Sequence, residues 1–238
     1  MAIGPDRTYV TRGSATAAEI DVGLRQYMLR VYNYMTGGLA VTGIVAYLVS
    51  NSPAMLQAIY GTPLQWVVML APIGFVLFFS FRLQKMSVGA AQAVFWAFSA
   101  VMGLSLATIF LVYTDASIAR VFFITAGTFA GMSLFGYTTK RDLSGFGSFL
   151  VMGLIGILIA MLVNLFLASS ALDFAISVIG VLVFTGLTAY DTQRIKEMYI
   201  ESDGTAVMTK KAIMGALTLY LDFINLFLML LRLFGSRD

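Results

Sequence analysis

The sequence predicts an all-α membrane protein with seven transmembrane helices. The 238 residues are 59% hydrophobic and only 11% charged, with a mean hydropathy of +0.88. A soluble domain carries about 25% charged residues. Seven apolar stretches approach the roughly 20 residues that span a bilayer as helix. Lys and Arg gather at the ends of these stretches on one side, the bias that orients polytopic chains.

The first 27 residues are polar and are expected to form an N-terminal tail; residues 28–238 then make one transmembrane domain. The start of the chain has no apolar core followed by a small-residue cleavage site, so a removable signal peptide is not expected. The spans are placed at Val31–Ser50, Leu64–Phe81, Val88–Val112, Ile118–Tyr137, Phe149–Ser169, Phe174–Ile195 and Ile213–Leu233. Short polar links join them, and none is long enough to divide the chain into two domains. The longest, Lys196 to Lys211, holds Glu197, Glu201, Asp203 and Gly204 and reads as a loop.

With the N-terminus in the cytoplasm, Arg7, Arg12, Arg25, Arg30, Arg82, Lys85, Lys140, Arg141, Arg194, Lys196, Lys210 and Lys211 fall inside. Only Arg120, Arg232 and Arg237 fall outside. Gly127 and Gly131 form a small-xxx-small pair in the fourth span, and Gly37, Gly38 and Gly43 cluster in the first. Such residues let helix backbones approach closely. Packing within one chain is the expectation for both groups, and a monomer is expected.

The chain contains no Cys and no His. That excludes disulfides, thiol chemistry, Cys/His zinc sites and imidazole relays. The net charge of +3 comes from scattered residues, so no nucleic-acid patch is expected.

Two carboxylates carry the functional reading. Asp191 lies in GLTAYDTQRI and Asp222 in ALTLYLDFINLFLMLLRLFG, stretches where a lipid-facing helix would hold no acid. A charge at bilayer depth costs several kcal/mol (about 3 on insertion scales), and such residues usually mark ion or proton pathways. With the sixth helix running to about Tyr199 and the seventh starting at Ile213, both acids sit roughly 12–14 Å from the cytoplasmic helix ends. Neighbouring antiparallel helices would then set them face to face. Two carboxylates so placed cannot both stay ionised cheaply, and the pair is expected to titrate as one unit around a shared proton.

Oxygen ligands of this type also suit hard cations such as Ca²⁺. Asn225, one turn past Asp222, completes a possible cation site with Asp191 and Asp222, and Thr192 and Gln193 offer further oxygens. Arg82, closing the second span, is the candidate cation partner. Bland readings stand beside each: Asp191 as an interfacial residue near Arg194 and Lys196, Asp222 as half of a structural ion pair, and Arg82 as a headgroup anchor. Either Tyr190 or Tyr220 could donate to a carboxylate. Asp142 is read as orienting a helix start beside Ser144, while Asp115 and Asp173 read as solvated and Arg232 as an anchor at the outer interface.

The stretches AYDTQRIKEM, LTLYLDFINLFLMLLRLFG and TTKRDLSGFGSFL resemble the Bax inhibitor-1, or transmembrane Bax inhibitor motif, family and its bacterial branch in particular. The likeness runs from the first span to the C-terminus. It implies seven helices with the C-terminal one central and wrapped by the other six. It also implies a pH-sensitive calcium leak in a multi-pass protein of the bacterial inner membrane. On this chain the family's proton-sharing aspartates match Asp191 and Asp222, and its switching arginine matches Arg82. A glutamate that some leak proteins carry in the second helix is absent: Leu70, Ala71, Pro72 and Ile73 stand there.

The expected function is therefore a Ca²⁺ leak gated by the aspartate pair, with calcium as the permeant ion, no resident metal or cofactor, and no enzymatic activity. The alternative is an interaction protein that modulates a membrane protease or a stress or cell-death pathway, with Arg7, Arg12, Glu19 and Arg25 as a docking tail. An intramembrane aspartyl protease would need glycine for backbone approach before its second acid, and Leu219–Tyr220–Leu221 precede Asp222. A retinal pump fails because Lys85, Lys140, Lys196, Lys210 and Lys211 all lie at segment ends, leaving no mid-membrane amine. The short links suit a heptahelical receptor poorly.

Overall fold

The computed structural model describes residues 17–237. Arg7 and Arg12 of the expected docking tail, and the side chain of Glu19, lie outside what it describes. Among the described residues there are nine α-helices: α1 Ala17–Ser50, α2 Pro53–Tyr60, α3 Leu64–Arg82, α4 Val88–Leu106, α5 Ile109–Val112, α6 Asp115–Thr138, α7 Ser144–Leu167, α8 Ser170–Glu197 and α9 Thr205–Phe234. Six candidate spans are long and apolar enough to cross a membrane, with α4 and α5 counted as one. A seventh arises when α1 is taken with α2, two helices bent 99° against each other. Unpaired backbone amides are not tolerated in hydrocarbon, and helices satisfy theirs internally.

Local chemistry marks the boundaries. Ser52, Thr114 and Ser169 cap α2, α6 and α8 by accepting from Met55, Ser117 and Leu172 amides, and Ser87 caps α4 by accepting from Ala90. Pro53 follows Ser52 at the first helical position, where its missing N–H costs nothing. At the end of α7, Ala168 takes a left-handed conformation (φ 48°), and Asn164 Oδ1 accepts from the Ser169 amide at 3.0 Å. That side-chain bond supports a turn glycine would otherwise occupy.

Two elements begin earlier than sequence patterning suggests. Helix α1 is already formed at Ala17, the first described residue, so the boundary expected near residue 27 falls within a continuous helix. Helix α9 starts at Thr205, eight residues before Ile213. Its first two turns, TAVMTKKA, look like loop by composition. Lys211 fixes them by donating to the Met198 carbonyl at 2.8 Å and to Asp203 Oδ2 at 2.5 Å. Lys210 donates to the Gln84 carbonyl at 3.0 Å.

Helix α9 is the most enclosed element: it has sixteen buried residues, against three in α7. It packs extensively on α1, α4, α6 and α8, four of the six partners expected. Helices α3 and α7 present broad apolar faces outward, including Phe81, Phe149 and Leu162, as lipid contact requires.

The glycines divide by position. Gly37 and Gly38 of α1 press on Trp96, Phe95 and Ser99 of α4, where a side chain would not fit. Gly127 and Gly131 meet nothing and are exposed, contrary to the packing expected of them. The inward stripe of α6 is instead Val121, Thr125, Phe129, Ser133 and Gly136, spaced three to four residues apart on another face.

Candidate functional site

Helices α8 and α9 form an antiparallel hairpin whose register is set by close contacts. Ile195 packs on Gly215, and Met229 packs on Gly180 at the far end of the pair. Between these points the hairpin brings Asp191 and Asp222 together, with their carboxyl groups within hydrogen-bonding reach. Asp222 is 6% exposed. Its Oδ2 is buried, and among the described residues no N–H or hydroxyl donor reaches it. Two carboxylates bond to one another only through a proton, so Asp191 can serve that oxygen only if the pair holds one.

The two acids are unequally placed. Asp191 lies six residues before the end of α8, about 9 Å, whereas Asp222 lies 17 residues into α9, about 25 Å. The two carboxyls still meet at one level, as expected; the difference arises because α9 begins at Thr205 and not at Ile213, so its first turns project beyond the end of α8. Asp191 lines a cavity of about 390 Å³ between α3, α8 and α9, together with Val207 and Lys210, and Asp222 is not part of that lining. On the other side of Asp222, Phe223 and Phe227 stack edge-on against Phe122, with centroids 5.5 and 6.4 Å apart. A separate apolar void of about 100 Å³ lies among these rings.

The other residues singled out from sequence are not gathered here. Arg82 ends α3 on an exposed surface, outside the cavity lining, and forms no ion pair among the described residues. Arg194, one turn from Asp191 on the same helix, is the base that acts on it. Asn225 Nδ2 donates to its own helix at the Leu221 carbonyl, 2.8 Å away. Thr192 bonds the Thr188 carbonyl and Ser133 Oγ. Among the described residues no three Asp, Glu, His or Cys side chains converge as a metal site would require. The Tyr220 hydroxyl meets Thr42 Oγ1 at 2.6 Å rather than Asp222. Asp173 is not simply solvated, because Arg232 Nη1 approaches its Oδ1 to 3.4 Å.

Gln193, considered only as a spare oxygen donor, clasps the α6–α7 link. Its Oε1 accepts from the Leu143 amide at 2.8 Å and its Nε2 donates to the Arg141 carbonyl at 2.7 Å. An amide residue two positions after Asp191 is its only signal in the sequence. Asp142 orients the same link by accepting from the Ser144 amide at 2.8 Å, and hydrogen bonding from the Ser144 hydroxyl and then from this amide holds its carboxyl below the usual carboxylate range.

Residues 24–238 match the sequence model of the family described as "Inhibitor of apoptosis-promoting Bax1". The chain belongs to the Bax inhibitor-1 family. Within that family it is similar to the inner membrane protein YbhL of Escherichia coli K12, 52% identical over 218 residues that cover 90% of this chain and 93% of the relative. Protein RP147 of Rickettsia prowazekii is 49% identical, covering 91% and 92%. A membrane protein of Streptococcus pyogenes serotype M1 is 35% identical, covering 92% and 96%. Bax inhibitor-1 relatives thus match nearly the whole length of this multi-pass membrane protein.

Proposed function

We propose that this protein is a pH-sensitive Ca²⁺ leak of the bacterial inner membrane, with its N-terminus in the cytoplasm and the aspartate pair as its gate. The observation that carries the reading is the buried Asp222 Oδ2, for which, among the described residues, a proton shared with Asp191 is the one hydrogen bond on offer. With the proton in place, the pair ties α8 to α9. Without it, two like charges face each other in a poorly hydrated interior and the hairpin is driven to loosen or to admit a cation.

In this reading the structure is the closed form. The cavity beside Asp191 opens toward the basic end of the bundle, and the rings of Phe122, Phe223 and Phe227 fill the far side. Helix α9 acts as the axis around which the other spans are arranged. Exposed at the end of α3, Arg82 is free to swing toward a carboxylate once the proton is lost. Asp191, Asp222 and Asn225 then line the path of a passing ion and form no resident site. No enzymatic step is assigned.

The test is calcium influx into vesicles loaded with a calcium dye, as a function of external pH. Flux should rise with pH in the unaltered protein and lose that dependence in Asp191→Asn and Asp222→Asn. Arg82→Gln should shift the response without abolishing it. Absence of flux, or unchanged pH dependence in both aspartate variants, would overturn the reading.

A further inference from the structure

The cavity beside Asp191 has a mouth whose charge the aspartate pair does not explain. Arg194, Lys210 and Lys211 line it together with Ser80 and Gln84. Asp203 balances Lys211 at 2.5 Å. Lys210 is held by the carbonyls of Gln84 and Met86 at 3.0 and 3.5 Å, neutral acceptors that fix the ammonium without cancelling its charge. Arg194 is exposed and forms no ion pair among the described residues. Helix α9 begins beside this mouth, and its cap residue Gly204 supplies no side-chain acceptor, so the positive end of a 30-residue helix adds to the same field.

This is an odd entrance for a cation alone, because Arg194 and Lys210 have no acid in ion-pair contact among the described residues and meet the cation before Asp191 does. It suits an anion well. An arginine fork beside a lysine is the usual pairing for phosphate, with the fork binding two oxygens and the ammonium acting as a point charge. Ser80 and Gln84 add neutral polar groups on the α3 side. The volume, about 390 Å³, exceeds what a bare phosphate ion needs and leaves room for an organic portion against Val76, Leu217 and Leu221.

We propose that the cavity between α3, α8 and α9 binds the phosphate group of a small phosphorylated ligand or of a lipid headgroup, held chiefly by Arg194 and Lys210. The site lies at the mouth, and Asp191 marks the inner end of the same space. This goes beyond the leak reading and needs no ion flux to be examined.

The experiment is calorimetric titration of the purified full-length protein in neutral detergent with inorganic phosphate, and separately with pyrophosphate, against sodium chloride of matched ionic strength. Saturable binding is expected, tighter for pyrophosphate. Arg194→Gln should weaken it at least tenfold, whereas Lys140→Gln, an exposed base on the α6–α7 link, should leave it unchanged. Arg194 is a surface residue, so its variant is expected to fold; a matched melting temperature verifies this, and Arg194→Lys, which keeps the charge but not the fork, should fall between the two. Repeating the titration in nanodiscs of phosphatidylcholine with added phosphatidylglycerol identifies the source. Loss of phosphate binding as the anionic lipid rises, reversed at high phosphate, assigns the site to headgroups, and indifference to the lipid assigns it to a soluble ligand. No saturable phosphate binding, or equal weakening by Lys140→Gln, overturns the proposal.

Discussion

Gly136 of α6 lies directly on the Ala189 carbonyl of α8, so close that a methyl group at position 136 would overlap a backbone atom. Ala189 is two residues before Asp191, so this contact helps to set where that carboxylate stands. The adjacent α6–α8 ties, Ser133 to Thr192 at 3.0 Å and Lys196 to the Tyr137 carbonyl at 2.8 Å, leave α8 little freedom to yield.

Gly136→Ala should therefore destabilise the protein by about 1–3 kcal/mol, the range for overpacking. Gly127→Ala, which meets nothing, should be neutral or slightly stabilising through helix propensity. Thermal unfolding followed by circular dichroism separates the two. Equal melting temperatures for both variants would contradict the packing described.

Thr42 and Tyr220 share a hydrogen bond of 2.6 Å; the single Thr42 proton lies between the Ser99 and Gly38 carbonyls, so the Tyr220 hydroxyl is the donor to Thr42 Oγ1. Tyr220 is 0% exposed. Thr42→Val strands a buried phenol and should cost about 1–3 kcal/mol. Tyr220→Phe removes the stranded group itself, so the double variant should cost less than the sum of the singles. Additive losses in a double-mutant cycle would show that the two hydroxyls do not depend on each other.

Gln193→Leu removes both bonds to the α6–α7 link and leaves the Leu143 amide without its acceptor. A loss of about 1–3 kcal/mol is expected. Faster amide exchange should be confined to residues 139–144, measured by mass spectrometry, and uniform exchange across α8 would point to a different role.

Asp142 is fully exposed and its carboxyl is held below the usual value of 3.8 by the Ser144 bonds. A depressed folded-state value means that the stabilisation is present above pH 3.8 and is lost as pH falls through the folded value. Asp142→Asn should thus lower the melting temperature slightly at pH 7, and the difference should close in strong acid. A gap that persists there would assign the effect to the amide and not to the lost charge.

The spans are legible in the sequence because lipid demands continuous apolar runs, and no other environment of this chain does. The acids are legible for the converse reason: Asp222 interrupts such a run. What the sequence conceals is whatever depends on a neighbour distant along the chain. Residues 205–212 are polar enough to pass for loop, and only Met198, Asp203 and Gln84 show why they are helical. Hydroxyls are common within spans, so Thr42 and Tyr220 gave no hint of each other across 178 residues. Arg82 was placed by its position at a segment end, and that fixes its depth but not the direction in which its side chain points.

Helix α9 is fastened at both extremities. At one, Lys210 and Lys211 grip the α3–α4 and α8–α9 links. At the other, the Thr114 amide donates to the Ser236 carbonyl at 3.1 Å, the Ser236 amide donates to Ser117 Oγ at 2.8 Å, and Tyr113 pairs with Arg237. A rod pinned top and bottom cannot slide like a piston. The middle of the rod, where Asp222 sits, has no such fastening to the links, so a twist or bow there disturbs fewer of these bonds than a slide along the axis does.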